Sequence, residues 1–495
     1  MMTARSPRSA RRGDSEGVNG GAMRPVGQAS ARAGTLSTDP LTLAGRQVHF
    51  IGIGGAALSG LARIALAEGA RVSGSDLRES VVTDRLRADG VTIHIGHAAT
   101  NLGDADLVVM SSAVPPTNPE LVEARRRDVP VLKRHEFVGQ LMAGHIGVGV
   151  AGTHGKTTTT SLLALILDDA ALSPSFLIGG EPRDLGASAR QGSGLHFVVE
   201  ADEYDRAFLH MPCDVAVVTN IEPDHPDIYP TVDDMLAAYR EFIGLIPRSG
   251  TLVANWDDAR VRDMVKSLRG ADSPIIVTYG VAHSGQWWAA ELTPRAEGGH
   301  DFTVWRMGRN LGRFSIGLPG LHNVSNALGA LAAAERLGIP MESARASLAR
   351  FQGAARRFDI RGERHGITIV DDFAHHPSEI RATLAAARVR YPGRPLWAVF
   401  QPHTYSRTAS LLGDFARAFR DADHVLVVDI YASREADTLG VSSQDVVSRM
   451  MHPDARYVGR LDAATAIITA EARPGDVVLT LGAGDVWKVA ESLVK

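Results

Sequence analysis

The stretch HIGVGVAGTHGKTTTTSLLALILDDA, residues 145–170, decides how this chain is read. Ile146 to Ala151 is a short apolar run of the kind that forms a buried strand. Gly152-Thr153-His154-Gly155 then breaks it, and Lys156-Thr157-Thr158 opens a long apolar helix. Glycines let backbone N–H groups close around phosphate oxygens, and the helix directs its N-terminal dipole at the anion. Lys156 supplies a point charge near the β- and γ-phosphates, and the Thr157 hydroxyl can ligate Mg²⁺. The usual pattern G-x-x-x-x-G-K-[ST] requires glycine at 150, where this chain has Val150, so the loop is a variant that uses Gly149 and Gly152.

Working outward, two strand-like runs end in polar clusters. HFVV (196–199) leads into Glu200-Ala201-Asp202-Glu203-Tyr204-Asp205, and VAVV (215–218) leads into Thr219-Asn220-Ile221-Glu222-Pro223-Asp224-His225. A nucleotide-bound Mg²⁺ needs hard oxygen ligands in such a position. Side chains alternate along a strand, so only one face of the acidic cluster is expected to point inward, and Glu200 is favoured. Residues 287–320 alternate without helical spacing, which predicts antiparallel strands, and NVSNALGALAAAERLG (323–338) predicts a helix.

Upstream, RQVHFIGIGG (46–55) reads as another strand ending in glycines. Gly52-Ile53-Gly54-Gly55-Ala56-Ala57 fits G-x-G-x-x-[GA], and Asp76 follows at the end of the next strand. This suits a nucleotide-like diphosphate with an acid for a ribose hydroxyl. An NAD-dependent oxidoreductase is the reading from another class that this loop supports. The Lys156 loop speaks against it, because hydride transfer needs no γ-phosphate site. Downstream, ITIVDDFAHHP (367–377), PLWAVFQPH (395–403), DHVLVVDIYA (423–432) and DVVLTLGAGD (476–485) are strands with polar ends. Asp371, Asp372, His375 and His376 suit phosphate, amine or proton-transfer chemistry. The His-His pair raises zinc, but no cysteine or third histidine lies nearby in sequence.

The strand–helix alternation predicts an α/β protein with parallel, doubly wound sheets, and 495 residues allow about three domains. The boundaries are expected at 41–145, 146–352 and 353–495. Residues 1–40 lack apolar periodicity and read as a disordered tail. The net charge of −4 gives no support for a nucleic-acid surface, and no run approaches the length of a membrane span. The one cysteine, Cys213, forbids an internal disulfide. Only five of the 52 basic residues are lysines, so the one inside the phosphate loop stands out.

Taken together, HFIGIGG, SGSD, SSAV, AGTHGKTTTT, EADEYD, TNIEPDH, LPGLHNVSNALGA, RRFD, VDDFAHHP, QPHTYSR and GAGDVW, in that order, resemble the Mur ligases, the ATP-dependent amide-forming enzymes of peptidoglycan precursor synthesis. The resemblance runs from about Gln47 to the C-terminus. It implies a Rossmann-like first domain for the UDP-sugar, a central P-loop-type ATPase domain, and a Rossmann-like third domain for the amino acid. It implies ATP and Mg²⁺ as cofactors, and UDP-N-acetylmuramate and L-alanine as substrates. A sister enzyme adding a preformed peptide is the alternative within the family. It further implies a bacterial cytoplasmic protein, monomeric or weakly dimeric, with no membrane or nucleic-acid partner.

By the same resemblance, Gly152, Thr153, Gly155, Lys156, Thr157 and Thr158 cradle phosphate, and Thr157, Glu200 and His225 serve the metal. His322, Asn323 and Asn326 meet adenine and ribose. Arg357 and Asp372 reach the nucleotide and reaction centre, and His376 contacts the incoming amino acid. Gly52, Gly54, Gly55, Ser59, Asp76 and Ser112 fall where the UDP-sugar is held. The chain departs from the family pattern at Ala57-Leu58, at Pro226 after His225, and at Leu321 before His322. No lysine follows His225 until Lys266, so the carbamoylated lysine that some sister ligases use has no candidate here.

Overall fold

The structure is a computed structural model describing residues 41–268, 273–433 and 435–495. The expectation of a disordered tail over residues 1–40 lies outside the described residues. Three α/β units follow one another along the chain, each built on its own sheet.

The first sheet is wholly parallel, in the order Thr92–Ile95, Arg71–Asp76, Gln47–Ile51, Leu107–Met110, Val131–Lys133. Gln47–Ile51 sits at its centre because Val48, Phe50 and Ile51 are apolar and fully buried. Strand order reverses there, which opens a crevice beyond its carboxyl end. The glycine loop 52–55 leaves at that point, before helix Ala56–Ala67.

In the second sheet Ile146–Ala151 lies between His196–Glu200 and Val215–Val218, and Thr251–Asn255 and Ile275–Gly280 continue it in parallel. The predicted antiparallel arm is present as Trp287–Pro294, His300–Arg306 and Arg309–Ile316. Helices Lys156–Asp169 and Leu321–Arg336 pack against each other over this sheet. Leu162, Leu163, Leu165, Ile166 and Leu167 are all buried. Each such side chain contributes about 1.5–3 kcal/mol relative to exposure. Ala330 to Ala334 on the partner helix includes four alanines, all buried, so the helices can approach closely.

The third sheet runs Asp359–Arg364, Ile367–Asp372, Val477–Leu481, Leu396–Phe400, His424–Val428, Ala455–Gly459. Asp359–Arg364 is an antiparallel edge and the other pairings are parallel. The sequence HHPSE also starts helix Pro377–Arg390. His376 is the N-cap, Pro377 is the first helical residue, and the Glu379 carboxylate reaches back to the His376 N–H. That capping arrangement fixes Glu379 at the front of the helix, where the unit faces the phosphate loop.

Candidate active site

The loop after Ile146–Ala151 is shaped by glycines that tolerate no side chain. Gly152 has φ +134°, and a Cβ there would strike the Thr219 hydroxyl. Gly155 has φ +83°, and a Cβ would strike the Asn326 amide oxygen. Both approaches belong to the site itself, because they press the loop against the next strand's end and against the helix carrying Asn323 and Asn326. The loop backbone is pinned there. Thr153 N–H donates to the Asn220 carbonyl at 3.0 Å and His154 N–H to Asn220 Oδ1 at 2.9 Å. The Thr219 hydroxyl donates to the His154 carbonyl at 2.6 Å.

Lys156 Nζ turns inward. It donates to the Gly152 carbonyl at 2.6 Å and to both oxygens of Glu203 at 2.9 and 2.8 Å. Burial alone would lower the proton affinity of this ammonium, but Glu203, Asp202 and Glu200 raise it, so the side chain stays a cation. The acidic cluster departs from the expectation of a single inward carboxylate. The strand ends at Glu200, so strict alternation ends with it, and Glu200, Asp202 and Glu203 all line one chamber.

Glu200 accepts from Gly179 N–H at 2.6 Å. Burial pushes its pKa up, against the pull of Lys156 and Arg357. Glu200 and the Thr157 hydroxyl line the same chamber and put hard oxygen donors together, a donor set that fits Mg²⁺. His225, at φ +52°, carries Nε2 3.8 Å from Glu203 Oε1 and lines the same chamber.

The third unit closes the other side. Arg357 Nη2 donates to Thr157 Oγ1 at 3.4 Å, and the guanidinium lies 5.1 Å from the Phe373 ring centre. Asp372 accepts from Phe358 N–H at 2.7 Å and Ala374 N–H at 2.8 Å, which fixes the turn that presents Arg357. Burial raises the Asp372 pKa to about 6, despite Arg357 and these amides.

Two adjoining cavities result. One, of about 260 Å³, is lined by Gly155, Thr158, His322, Asn323, Asn326 and Asp372 among others. The second, about 520 Å³, joins all three units, with Ala56 and Ala57 from the first, Thr153, Lys156, Glu200 and His225 from the second, and His375 from the third. Thr157 and Arg357 line both.

Some expected residues lie behind or away from these walls. His376 is buried, its ring 4.8 Å from that of His154. Ser59 is buried and donates to its own helix at the Ala56 carbonyl. Asp76 accepts from Gly54 N–H at 2.9 Å, so it shapes the glycine loop. Ser112 donates to Asp205 at 2.6 Å, tying the first unit to the second.

Sequence reasoning missed Glu203 and a smaller cavity of about 220 Å³, where His225 meets His403, Thr404, Ser406, Arg407 and Glu435. Burial alone would raise the Asp224 pKa, but the Arg407 guanidinium at 2.8 Å holds that carboxyl well below the carboxylate range. The signal was the QPHTYSR stretch, which carries no metal-ligand or nucleophile spacing of its own.

Family models match the chain in three consecutive blocks. These are the Mur ligase family catalytic domain over residues 47–146, the Mur ligase middle domain over 150–334, and the Mur ligase glutamate ligase domain over 356–484. The chain belongs to the Mur ligase family. A UDP-N-acetylmuramate–L-alanine ligase of Alkaliphilus metalliredigens is 42 % identical over 452 residues, 91 % of this chain and 97 % of that protein. One of the same name from Pelotomaculum thermopropionicum is 45 % identical over 456 residues, with the same coverage. The crystal structure of the UDP-N-acetylmuramate-alanine ligase of Thermotoga maritima superposes with a TM-score of 0.76 at 29 % identity, covering 90 % of this chain and 98 % of that one. A murein peptide ligase of Psychrobacter arcticus follows at TM-score 0.69 and 26 % identity, covering 91 % and 98 %. Membership makes this Mur ligase an ATP-dependent amide-forming enzyme of three α/β domains, and the oxidoreductase reading is not favoured. Among the described residues no helix is long and apolar enough to cross a membrane.

Proposed function

We propose that this chain joins L-alanine to the muramate carboxylate of UDP-N-acetylmuramate, at the expense of ATP, within three domains spanning residues 41–145, 146–352 and 353–495. The observation that carries the reading is the chamber that brings the phosphate loop, Glu200 and Arg357 together beside Ala56 and Ala57 of the first unit. Relatives bearing the alanine-ligase name, 42 % and 45 % identical over 97 % of their length, favour alanine over a peptide.

A carboxylate is a poor electrophile. Transfer of a phosphoryl group to its oxygen makes that oxygen a good leaving group. The amine then attacks the acyl carbon, and collapse of the tetrahedral intermediate expels phosphate. Such a site supplies chiefly positioning and charge compensation. Gly152, Thr153, Gly155 and Thr158 direct backbone and hydroxyl groups at phosphate, and Lys156 compensates charge on the β/γ side. Asn323 and Asn326, buried at the start of helix Leu321–Arg336 with His322 beside them, wall the cavity that suits the base and ribose.

Thr157, Glu200 and His225 would hold Mg²⁺, which supplies Lewis-acid compensation of phosphate charge when bound. Arg357, held by the Asp372 turn, brings a second cation to the transferring group. Gly52, Gly54, Gly55, Ser59, Asp76 and Ser112 form or brace the first-unit edge where the sugar diphosphate enters. His376 backs the amine side. The enzyme acts in the bacterial cytoplasm, as a monomer or weak homodimer without nucleic-acid or membrane partners.

With ATP, Mg²⁺ and UDP-N-acetylmuramate, phosphate release should depend on L-alanine. Turnover with a tripeptide and none with alanine overturns the substrate assignment.

A further inference from the structure

His154 is used by none of the steps above, yet its side chain has the most unusual surroundings in the loop. Its Nδ1 lies 3.1 Å from Glu379 Oε1 on the third unit, and its Nε2 3.4 Å from Glu222 Oε2 on its own unit. A neutral imidazole donates from one nitrogen and accepts at the other, so it would turn a lone pair toward one of these carboxylates. Only the imidazolium satisfies both. Burial opposes that charge, but Glu379 and Glu222 outweigh it and raise the His154 pKa to about 9.

The two carboxylates are themselves fixed from the third unit. Ser378 donates to Glu222 Oε2 at 2.6 Å, and Glu379 caps its own helix through His375 N–H at 2.9 Å and His376 N–H at 3.2 Å. Arg357 Nη1 is 3.9 Å from Glu379 Oε1. His376 packs its ring on that of His154. Meanwhile the His154 backbone is held by Thr219 and Asn220. The residue therefore has a rigid base in the second unit and a charged grip on the third.

We propose that His154 is a positioning residue: its cation, clasped between Glu222 and Glu379, latches the third unit onto the phosphate loop and so delivers Arg357 to Thr157. This deepens the function proposed above and rests on it for its kinetic arm only. The latch couples closure to the loop that senses nucleotide, two residues before the helix start and three before Thr157.

The test is a cycle of His154→Gln, Glu379→Gln and the double variant. Glutamine at 379 keeps an acceptor oxygen for the His375 and His376 amides, and glutamine at 154 can donate to only one carboxylate. Loss of a charge-assisted hydrogen bond predicts an about 10- to 100-fold fall in kcat for each single variant. KM for ATP should stay within about threefold, because the loop backbone keeps its Asn220 and Thr219 anchors. The double variant should be no worse than the worse single.

Closure is read separately by energy transfer between dyes on cysteines introduced at the exposed Met307 and Met451, since the natural Cys213 is buried. With saturating ATP alone, the parent should show a narrow closed population, and each single variant a broadened one. Losses that multiply in the double variant, parental kcat in the singles, or closure unchanged in them would each overturn the latch. A parent that closes on ATP but ignores alanine would sink the substrate assignment and leave the latch standing.

Discussion

Removing the ammonium of Lys156 should do two separable things. Glu203 is 1 % exposed, and both its oxygens lie within 2.9 Å of Nζ. Lys156→Ala therefore strands a buried carboxylate as well as emptying the phosphate loop of its charge. Breaking a buried pair from one side costs about 3–5 kcal/mol. The lower end, about 3 kcal/mol, applies here because the Lys156 side chain keeps 16 % exposure, so water reaches the broken pair. For a unit the size of residues 146–352, each kcal/mol moves the melting midpoint about 2–4 °C, so a fall of about 6–12 °C is expected. Adding Glu203→Gln replaces the stranded charge with a neutral amide and should recover at least half of that fall. Catalysis should not recover, since phosphoryl transfer still lacks its cation; phosphate release should remain several orders of magnitude down. Differential scanning fluorimetry at neutral pH, paired with a phosphate-release assay, reads both. A Lys156→Ala protein melting within about 2 °C of the parent, or a double variant no more stable than the single, would refute the buried-pair argument.

Three further outcomes follow from the same geometry. The His154 pKa lies above its ordinary 6.5, at about 9, so its contribution is full below pH 6.5 and is lost as pH rises through 9. The ceiling is about 3 kcal/mol, and the melting difference between parent and His154→Gln should shrink to nothing across that window; a difference constant to pH 10 argues against it. Glu200→Gln should raise the Mg²⁺ concentration for half-maximal turnover at least about tenfold, by loss of one charged oxygen ligand, and an unchanged Mg²⁺ titration would remove Glu200 from the metal site. Gly152→Ala meets both a forbidden φ of +134° and the Thr219 hydroxyl; it should cost about 2 kcal/mol or more and abolish binding of a fluorescent ATP analogue, whereas parental binding would show that the loop can move.

What was legible in the sequence is what is continuous along it. The strand, glycines, lysine and helix of residues 145–170 are one local unit, and each part announces itself by residue type. The antiparallel arm was legible for the same reason, since alternation over residues 287–320 is local. The edge strands Asp359–Arg364 and Ala455–Gly459 were not, because both are largely exposed or half-exposed and lack an apolar run. The partners that tune the site were not legible either. Glu203 reaches Lys156 from 47 positions away, Arg407 reaches Asp224 from 183, and Glu379 reaches His154 from 225. Nothing in the composition of EADEYD says which carboxylate will find the lysine once the strand has ended. Only the register of the strand end decides it.

These long-range pairs also explain why the chemistry needs three units. The loop's lysine is neutralised by Glu203 and its histidine by Glu222 and Glu379, so neither cation is left uncompensated in a buried site. In the proposed mechanism, phosphate competes for Lys156, because it can offer oxygens where Glu203 does. It does not compete for His154, whose two nitrogens are already spent on carboxylates across the interface. On this proposal, one cation of the loop answers to substrate and the other to domain position. Arg357 depends on the second. It stands on the third unit, 3.4 Å from Thr157, only while that unit is docked. In the proposed mechanism, charge compensation of the transferring group is therefore complete only in the closed arrangement, which would tie phosphoryl transfer to the presence of the third unit.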